Sequence, residues 1–216
     1  MTDRYYMICL RDTVGTNASF HRLDGKGYSS DIDEAHVYSL EEAQSRWNHG
    51  REIDLPVAAD CVDAATVWHV DFQRLPNETV IEPGCTQYVA YVKGEWDGND
   101  VYWLAGVALP TTDFSKAYRH PSPVTESDGL VWLPFLIAES CKRRTFAINK
   151  LDRRKMIQAK GLRVPGWLKR QKRRQRNATG KTRWNCPCCG RISWQDNPYS
   201  FDGCKNFMCE LWVKNV

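Results

Sequence analysis

The sequence has no run of the ~18 consecutive apolar residues that a membrane-spanning helix needs. Its first residues, MTDRYYMICLRDT, lack a basic segment leading into a long apolar one. Membrane insertion and export are therefore not expected, and a cytoplasmic protein is. No histidine falls into H-E-x-x-H or a related spacing, since His21, His36, His49, His69 and His120 stand apart. Each is read as structural. Ala178-Thr179-Gly180-Lys181-Thr182 imitates the end of a phosphate-binding loop, but Gln175 stands where the earlier glycine belongs and no apolar strand leads in. Asp31, Asp33 and Glu34 lack the spacing of a calcium loop and read as solvated surface. With no catalytic constellation legible, the chain is not expected to be an enzyme. An internal repeat is also missing.

Acids are nearly missing from one stretch. Residues 142–183 hold 17 Lys and Arg against one acid, Asp152, a net of +16. Residues 1–141 hold 10 basic and 22 acidic residues, a net of −12, and residues 184–216 are neutral with three of each. The total of +4 therefore conceals an electrically divided chain. A composition with 42% hydrophobic residues and nine tryptophans is too apolar for a disordered protein. At 216 residues the chain can hold one substantial core and a smaller module. The boundaries expected are an acidic α+β domain over 1–140, a basic linker or helix over 141–183 and a metal module over 184–216.

Periodicity supplies the elements of the first domain. Tyr6, Ile8 and Leu10 alternate with Met7 and Cys9, which predicts an edge or early strand over Arg4 to Thr13. Ser39 and Glu42 form a capping box that starts a helix near Leu40 and runs it to Asn48 before Gly50. Val67 to Phe72 has strand spacing. Tyr88 to Val92 and Val101 to Leu109 predict a hairpin around Asp97-Gly98. The apolar run 130–138 predicts a last core element. Asn149 is positioned to cap a helix from Lys150 to Lys160 that Gly161 ends. The fold class expected is α+β, an antiparallel sheet with one or more helices, then a basic helical linker and a C-terminal zinc ribbon.

Nine cysteines are present, and five of them fall in the last 31 residues. Cys9, Cys61, Cys85 and Cys141 stand alone and read as small apolar groups. Cys186-Pro187-Cys188-Cys189-Gly190 contains C-P-x-C-G, a spacing that lets a tight turn aim the sulfurs of Cys186 and Cys189 at one point. Cys204 and Cys209 follow after 14 intervening residues and complete four thiolates for a tetrahedral ion. ISWQ, YSF and ELWV read as short strands around them. Residues 184–216 thus resemble a zinc ribbon with structural Zn2+ on Cys186, Cys189, Cys204 and Cys209. The second pair is C-x4-C where a ribbon usually has C-x2-C, which leaves a treble-clef-like arrangement open, and Cys188 is a fifth thiol. Disulfides or an iron–sulfur centre are the alternatives. Four thiolates fill the coordination sphere, so the site is expected to be structural and not hydrolytic.

Lys169, Arg170, Lys172, Arg173, Arg174, Arg176, Lys181 and Arg183 fall within 15 residues beside this module. An array this dense repels itself unless anions neutralise it, and phosphates are the expected partners. Trp184, Trp194, Tyr199, Phe201 and Trp212 could stack on unpaired bases, although core packing is the commoner role of tryptophan in a small module. Docking on the acidic domain and a solvated linker remain alternatives for the basic run.

GKGYSSDIDEAHVYSLEEAQ, residues 25–44, resembles a segment of small bacteriophage and prophage accessory proteins. The matching positions are Gly25, Gly27, Tyr28, Asp31, Ala35, Tyr38, Ser39, Glu41, Glu42 and Ala43. The resemblance implies a phage-like origin and no particular activity. The expected function is a nucleic-acid-binding zinc protein, a phage-type regulator of host transcription or DNA-handling machinery. A host protein is a further partner through the acidic domain. The alternative is a protein-binding inhibitor of a host factor, of anti-defence or DNA-mimic type, without nucleic acid.

Overall fold

The computed structural model describes residues 4–124, 129–177 and 180–213, with the side chains of Arg176 and Asn177 outside the described set. It divides into two compact units, Met1–Arg163 and Val164–Val216. The break falls at 163/164 and not at 140/141 and 183/184. The reason is chemical: the first cations of the basic run are part of the first unit's sheets.

The first half of unit 1 contains β1 (Tyr5–Val14), β2 (Asn17–His21), β3 (Tyr28–Ser29), α1 (Leu40–His49), β4 (Asp54–Ala58), α2 (Ala59–Asp63) and β5 (Val67–Val70). Its second half contains β6 (Tyr88–Asp97), β7 (Asp100–Ala105), β8 (Ala108–Thr111), β9 (Leu130–Pro134), α3 (Phe135–Ser140), β10 (Lys142–Thr145) and α4 (Arg153–Met156). Two four-stranded antiparallel sheets result, ordered β3-β2-β1-β4 and β8-β7-β6-β9. Far from lying at an edge, β1 is central in its sheet, and Tyr5 to Cys9 are all buried. The capping box at Ser39 and Glu42 starts α1 as expected, and the helix buries Ala43 and Trp47 while Arg46 and His49 point away from that face. The apolar run 130–138 splits into β9 and the start of α3. The helix expected over 150–160 is broken: Asp152, not Asn149, caps the four-residue α4, and Gly161 at φ 84° does end the segment.

An internal repeat that the sequence does not display organises this unit. In each half a bulged ten-residue strand turns through a glycine, Gly15 or Gly98, into its hairpin partner. Each first strand pairs with a later strand that runs directly into a short helix, β4 into α2 and β9 into α3. Matching bonds fix the alignment. Tyr5 exchanges backbone bonds with Tyr38, as Tyr88 does with His120; Ala59 N–H donates to Arg4 O at 2.8 Å, as Phe135 N–H does to Gln87 O at 2.8 Å.

The halves are then crossed. Phe72 N–H donates to Asn99 O in the second half's turn, and Ile148 N–H donates to Thr16 O in the first half's turn, both at 2.9 Å. β5 and β10 pair antiparallel with Trp68 opposite Arg144, and this pair lies on the pseudo-two-fold axis. The corresponding turn residues Asn17 and Asp100 meet there as well, the Asn17 amide donating to Asp100 Oδ2 at 2.5 Å. Asp100 is fully buried and also accepts from Arg143 Nη2 at 2.5 Å and bonds His69 Nδ1 at 2.6 Å. A buried carboxylate needs such partners, because desolvation would otherwise exceed what the fold could offset. Outside this centre, Arg144 bridges Asp33 and Asp63. Lys142 pairs with Glu139 at 2.9 Å. The start of the basic run is therefore structural.

Candidate metal centre and cationic surface

Unit 2 consists of α5 (Gly166–Asn177) and a hairpin of β11 (Thr182–Asn185) and β12 (Ile192–Gln195), followed by turns. The hairpin registers Arg183 against Trp194 and Asn185 against Ile192, and the intervening turn carries CPCCG. Gly190 closes that turn, its N–H donating to Cys186 O at 2.9 Å with φ 71°. Cys189 N–H reaches Cys186 Sγ at 3.5 Å, as an amide facing a thiolate should. The second pair is held by Cys204 N–H to Leu211 O at 2.7 Å and Val213 N–H to Cys204 O at 3.1 Å, with Asn206 N–H on Cys204 Sγ at 3.4 Å. Gly203 is required there: at φ 136° it passes so close to Val213 that a Cβ would meet that side chain.

These two turns bring the four expected sulfurs together. Cys186, Cys189, Cys204 and Cys209 offer Sγ atoms that all lie within 4.8 Å of one another, with 3.6 Å between Cys186 and Cys209 and 3.5 Å between Cys189 and Cys204. A tetrahedral thiolate site with metal–sulfur bonds of ~2.3 Å has sulfur–sulfur edges of ~3.8 Å. The group fits a metal ion, and its sulfurs stand well beyond the ~2.05 Å of a disulfide bond, so the four cysteines are free thiols here. Three of the four are buried, with Phe201 packed against them, while Cys189 is exposed. The backbone N–H of Arg191, helped by the neighbouring thiols, holds the Cys189 thiol down at about 6. Cys209 is pushed the other way: the Leu211 N–H favours its thiolate, but burial and competition from Cys186 and Cys189 raise it above the ordinary thiol range. Cys188 is exposed and is not one of the four. The two further strands expected of a ribbon are not formed. Residues 199–201 are a loop, and residues 210–213 are a turn with a single bridge from Cys204 to Trp212.

Lys169, Arg170, Lys172, Arg173 and Arg174 are all exposed on α5, and Lys181 and Arg183 are exposed before and within β11. The side chain of Arg176 lies outside the described residues. None of the seven described cations forms an ion pair within the unit, whose only acids are Asp196, Asp202 and Glu210. The aromatics divide into two groups. Trp184 donates to Asn197 O at 3.1 Å and packs on Phe201, so both are structural. Trp194 is 52% exposed, Tyr199 92% and Trp212 44%. A cleft of about 180 Å³ lies against Trp194 between Lys181 and Lys205.

Elsewhere, reading the histidines one at a time misses a grouping. His69 is structural on Asp100, as expected, but His21 lines two depressions in unit 1, one with His49 and the other with His36. The pattern has no sequence signature because its parts come from β2, a loop and α1. No helix among the described residues is long and apolar enough to cross a membrane. No family model, curated protein or solved structure matches this chain.

Proposed function

We propose that the protein is a zinc protein that binds nucleic acid through unit 2, acting as a phage-type regulator of transcription or DNA-handling machinery. The observation that carries this reading is the set of seven exposed cations with no acidic partner among the described residues of their unit, placed beside exposed aromatic faces. Zinc is the ion favoured by four cysteine ligands, and when bound it supplies a crosslink and no open coordination position. A 53-residue unit buries little surface, so this crosslink stabilises it. Arg183 and Trp194 sit opposite each other on the solvent face of the hairpin, which suits a phosphate beside a stacked base. The resemblance of residues 25–44 to phage accessory proteins supports the regulatory role.

The charge-mimic alternative loses support from the unit boundary. Unit 1, counted to Arg163, holds 19 basic and 23 acidic residues, a net of −4, whereas unit 2 carries 11 basic and 3 acidic residues, a net of +8. Gel-shift titration with single-stranded DNA, duplex DNA and RNA tests the proposal. Retardation at low salt is expected, and the triple variant Arg170→Glu, Arg173→Glu, Arg174→Glu should abolish it while unit 1 keeps its melting transition. Unchanged mobility of every probe at low salt would rule nucleic-acid binding out.

A further inference from the structure

Two adjoining depressions in unit 1, of about 340 and 260 Å³, share His21 and Arg46 as lining residues. Their polar walls come from separate elements: His21 at the end of β2, Tyr28 in β3, Asp54 at the start of β4, Arg46 and His49 on α1, and Arg22, Asp24 and His36 from the segments between them. Asp54 accepts from Arg51 at 2.8 and 2.9 Å and from His21 Nε2 at 2.9 Å. Burial pushes the Asp54 carboxyl up, but the hydrogen bonds from Arg51 and His21 outweigh it and leave the group below the ordinary carboxylate range. Asp54 is therefore ionised at neutral pH, which makes His21 Nε2 the donor and leaves Nδ1 open. His49 is committed in the same one-sided way, its Nδ1 donating to Ser45 O at 2.9 Å. Arg46 is held over the Tyr38 ring at 5.1 Å and has no carboxylate partner among the described residues.

The pseudo-two-fold supplies an internal control for these residues. Because Tyr5 corresponds to Tyr88 and Ala59 to Phe135, the position of His21 corresponds to Leu104 and that of Asp54 to Leu130. Both leucines pack on the Tyr88, Ala90 and Trp132 cluster. The same backbone is thus built once with an apolar pair and once with a hydrogen-bonded histidine–carboxylate pair, so the fold does not require the polar version. The helix that adds Arg46 and His49 also has no counterpart among the described residues of the second half. Polar chemistry has been gathered on one side only, around an unpaired guanidinium.

We propose that this cleft binds a small phosphomonoester, with Arg46 as the anion anchor and the open nitrogens of His21 and His49 as further hydrogen-bond partners. A guanidinium fork suits phosphate oxygens, and a phosphomonoester changes protonation near pH 6, close to imidazole, so the two share a proton readily. Three anchoring groups also exceed what a carboxylate's two oxygens need. The site is separate from the cations of unit 2 and stands or falls independently of nucleic-acid binding.

Titration of the full chain with ribose 5-phosphate, with acetate as the comparison, tests this by NMR of the imidazole and arginine Nε signals. Saturable shifts confined to His21, His49 and Arg46 are expected, and Arg46→Gln should weaken binding about tenfold or more, the loss of a charged anchor. The double variant His21→Leu, Asp54→Leu copies the second half and should fold with binding lost. Absence of saturable shifts at those three residues, an equal response to acetate, or unchanged affinity in Arg46→Gln would overturn the proposal.

Discussion

Gly15 and Gly98 show how much a single residue can carry. Their turns meet at the pseudo-two-fold, where a Cβ at Gly15 would lie 2.6 Å from Gly98 N and one at Gly98 would lie 2.5 Å from the Val14 carbonyl carbon. Both also have positive φ, 59° and 63°. Gly25 has a similar φ of 68°, but nothing lies within 4 Å of where its Cβ would stand, so it isolates the backbone effect from the steric one. Gly98→Ala is expected to cost roughly 2–4 kcal/mol. Gly25→Ala should cost only about 1 kcal/mol. Urea unfolding of the two variants measures the difference, and equal losses would mean that the turns do not touch. Such a contact cannot be read from the sequence, in which D-G and V-G look like ordinary hairpin turns. The cysteine ligands are legible there because metal chemistry fixes their spacing; His21, Arg46 and His49 are not, because no spacing rule joins a strand end to a helix face.

At the scale of elements, local signals are legible in the sequence and long-range ones are not. The capping box of α1 and the hairpin of β6 and β7 rest on neighbouring residues, and both are present. The repeat is hidden because the halves share backbone geometry and few side chains; among the aligned strands and turns the identities are Tyr5 with Tyr88, Gly15 with Gly98, Asp31 with Asp113, Ala35 with Ala117 and Leu75 with Leu151. The ribbon strands fail for a different reason, since turns around a thiolate cluster hold β-prone residues without pairing them. Where the halves cross, Asn17 faces Asp100, an amide against a carboxylate at equivalent positions. Asn17→Asp would set two buried carboxylates against each other, raising one pKa above its unfolded value. That raised pKa makes the variant less stable than the parent at neutral pH, by ~3 kcal/mol, with the deficit shrinking as pH falls towards the raised value. Thermal melts at pH 7 and pH 5 check both the sign and the trend.

The whole molecule pairs a duplicated, nearly charge-balanced scaffold with a small cationic unit whose four clustered cysteines can hold a metal ion. Removing the ion should unfold one part and leave the other. With a strong chelator, the tryptophan fluorescence of Trp184 and Trp194 is expected to change while the cooperative melt of unit 1 stays where it was; a simultaneous loss of both transitions would show that the centre serves the entire chain. On the proposed function, phosphate backbones would be met by unit 2 through cations that have no acidic partner among its described residues. The slope of log binding constant against log salt for a single-stranded oligonucleotide tests this most directly, because each neutralised phosphate releases counterions. With about five to seven contacts from α5 and β11 the slope should lie at about −3.5 to −5, at ~0.7 per contact. A slope near zero would contradict the account.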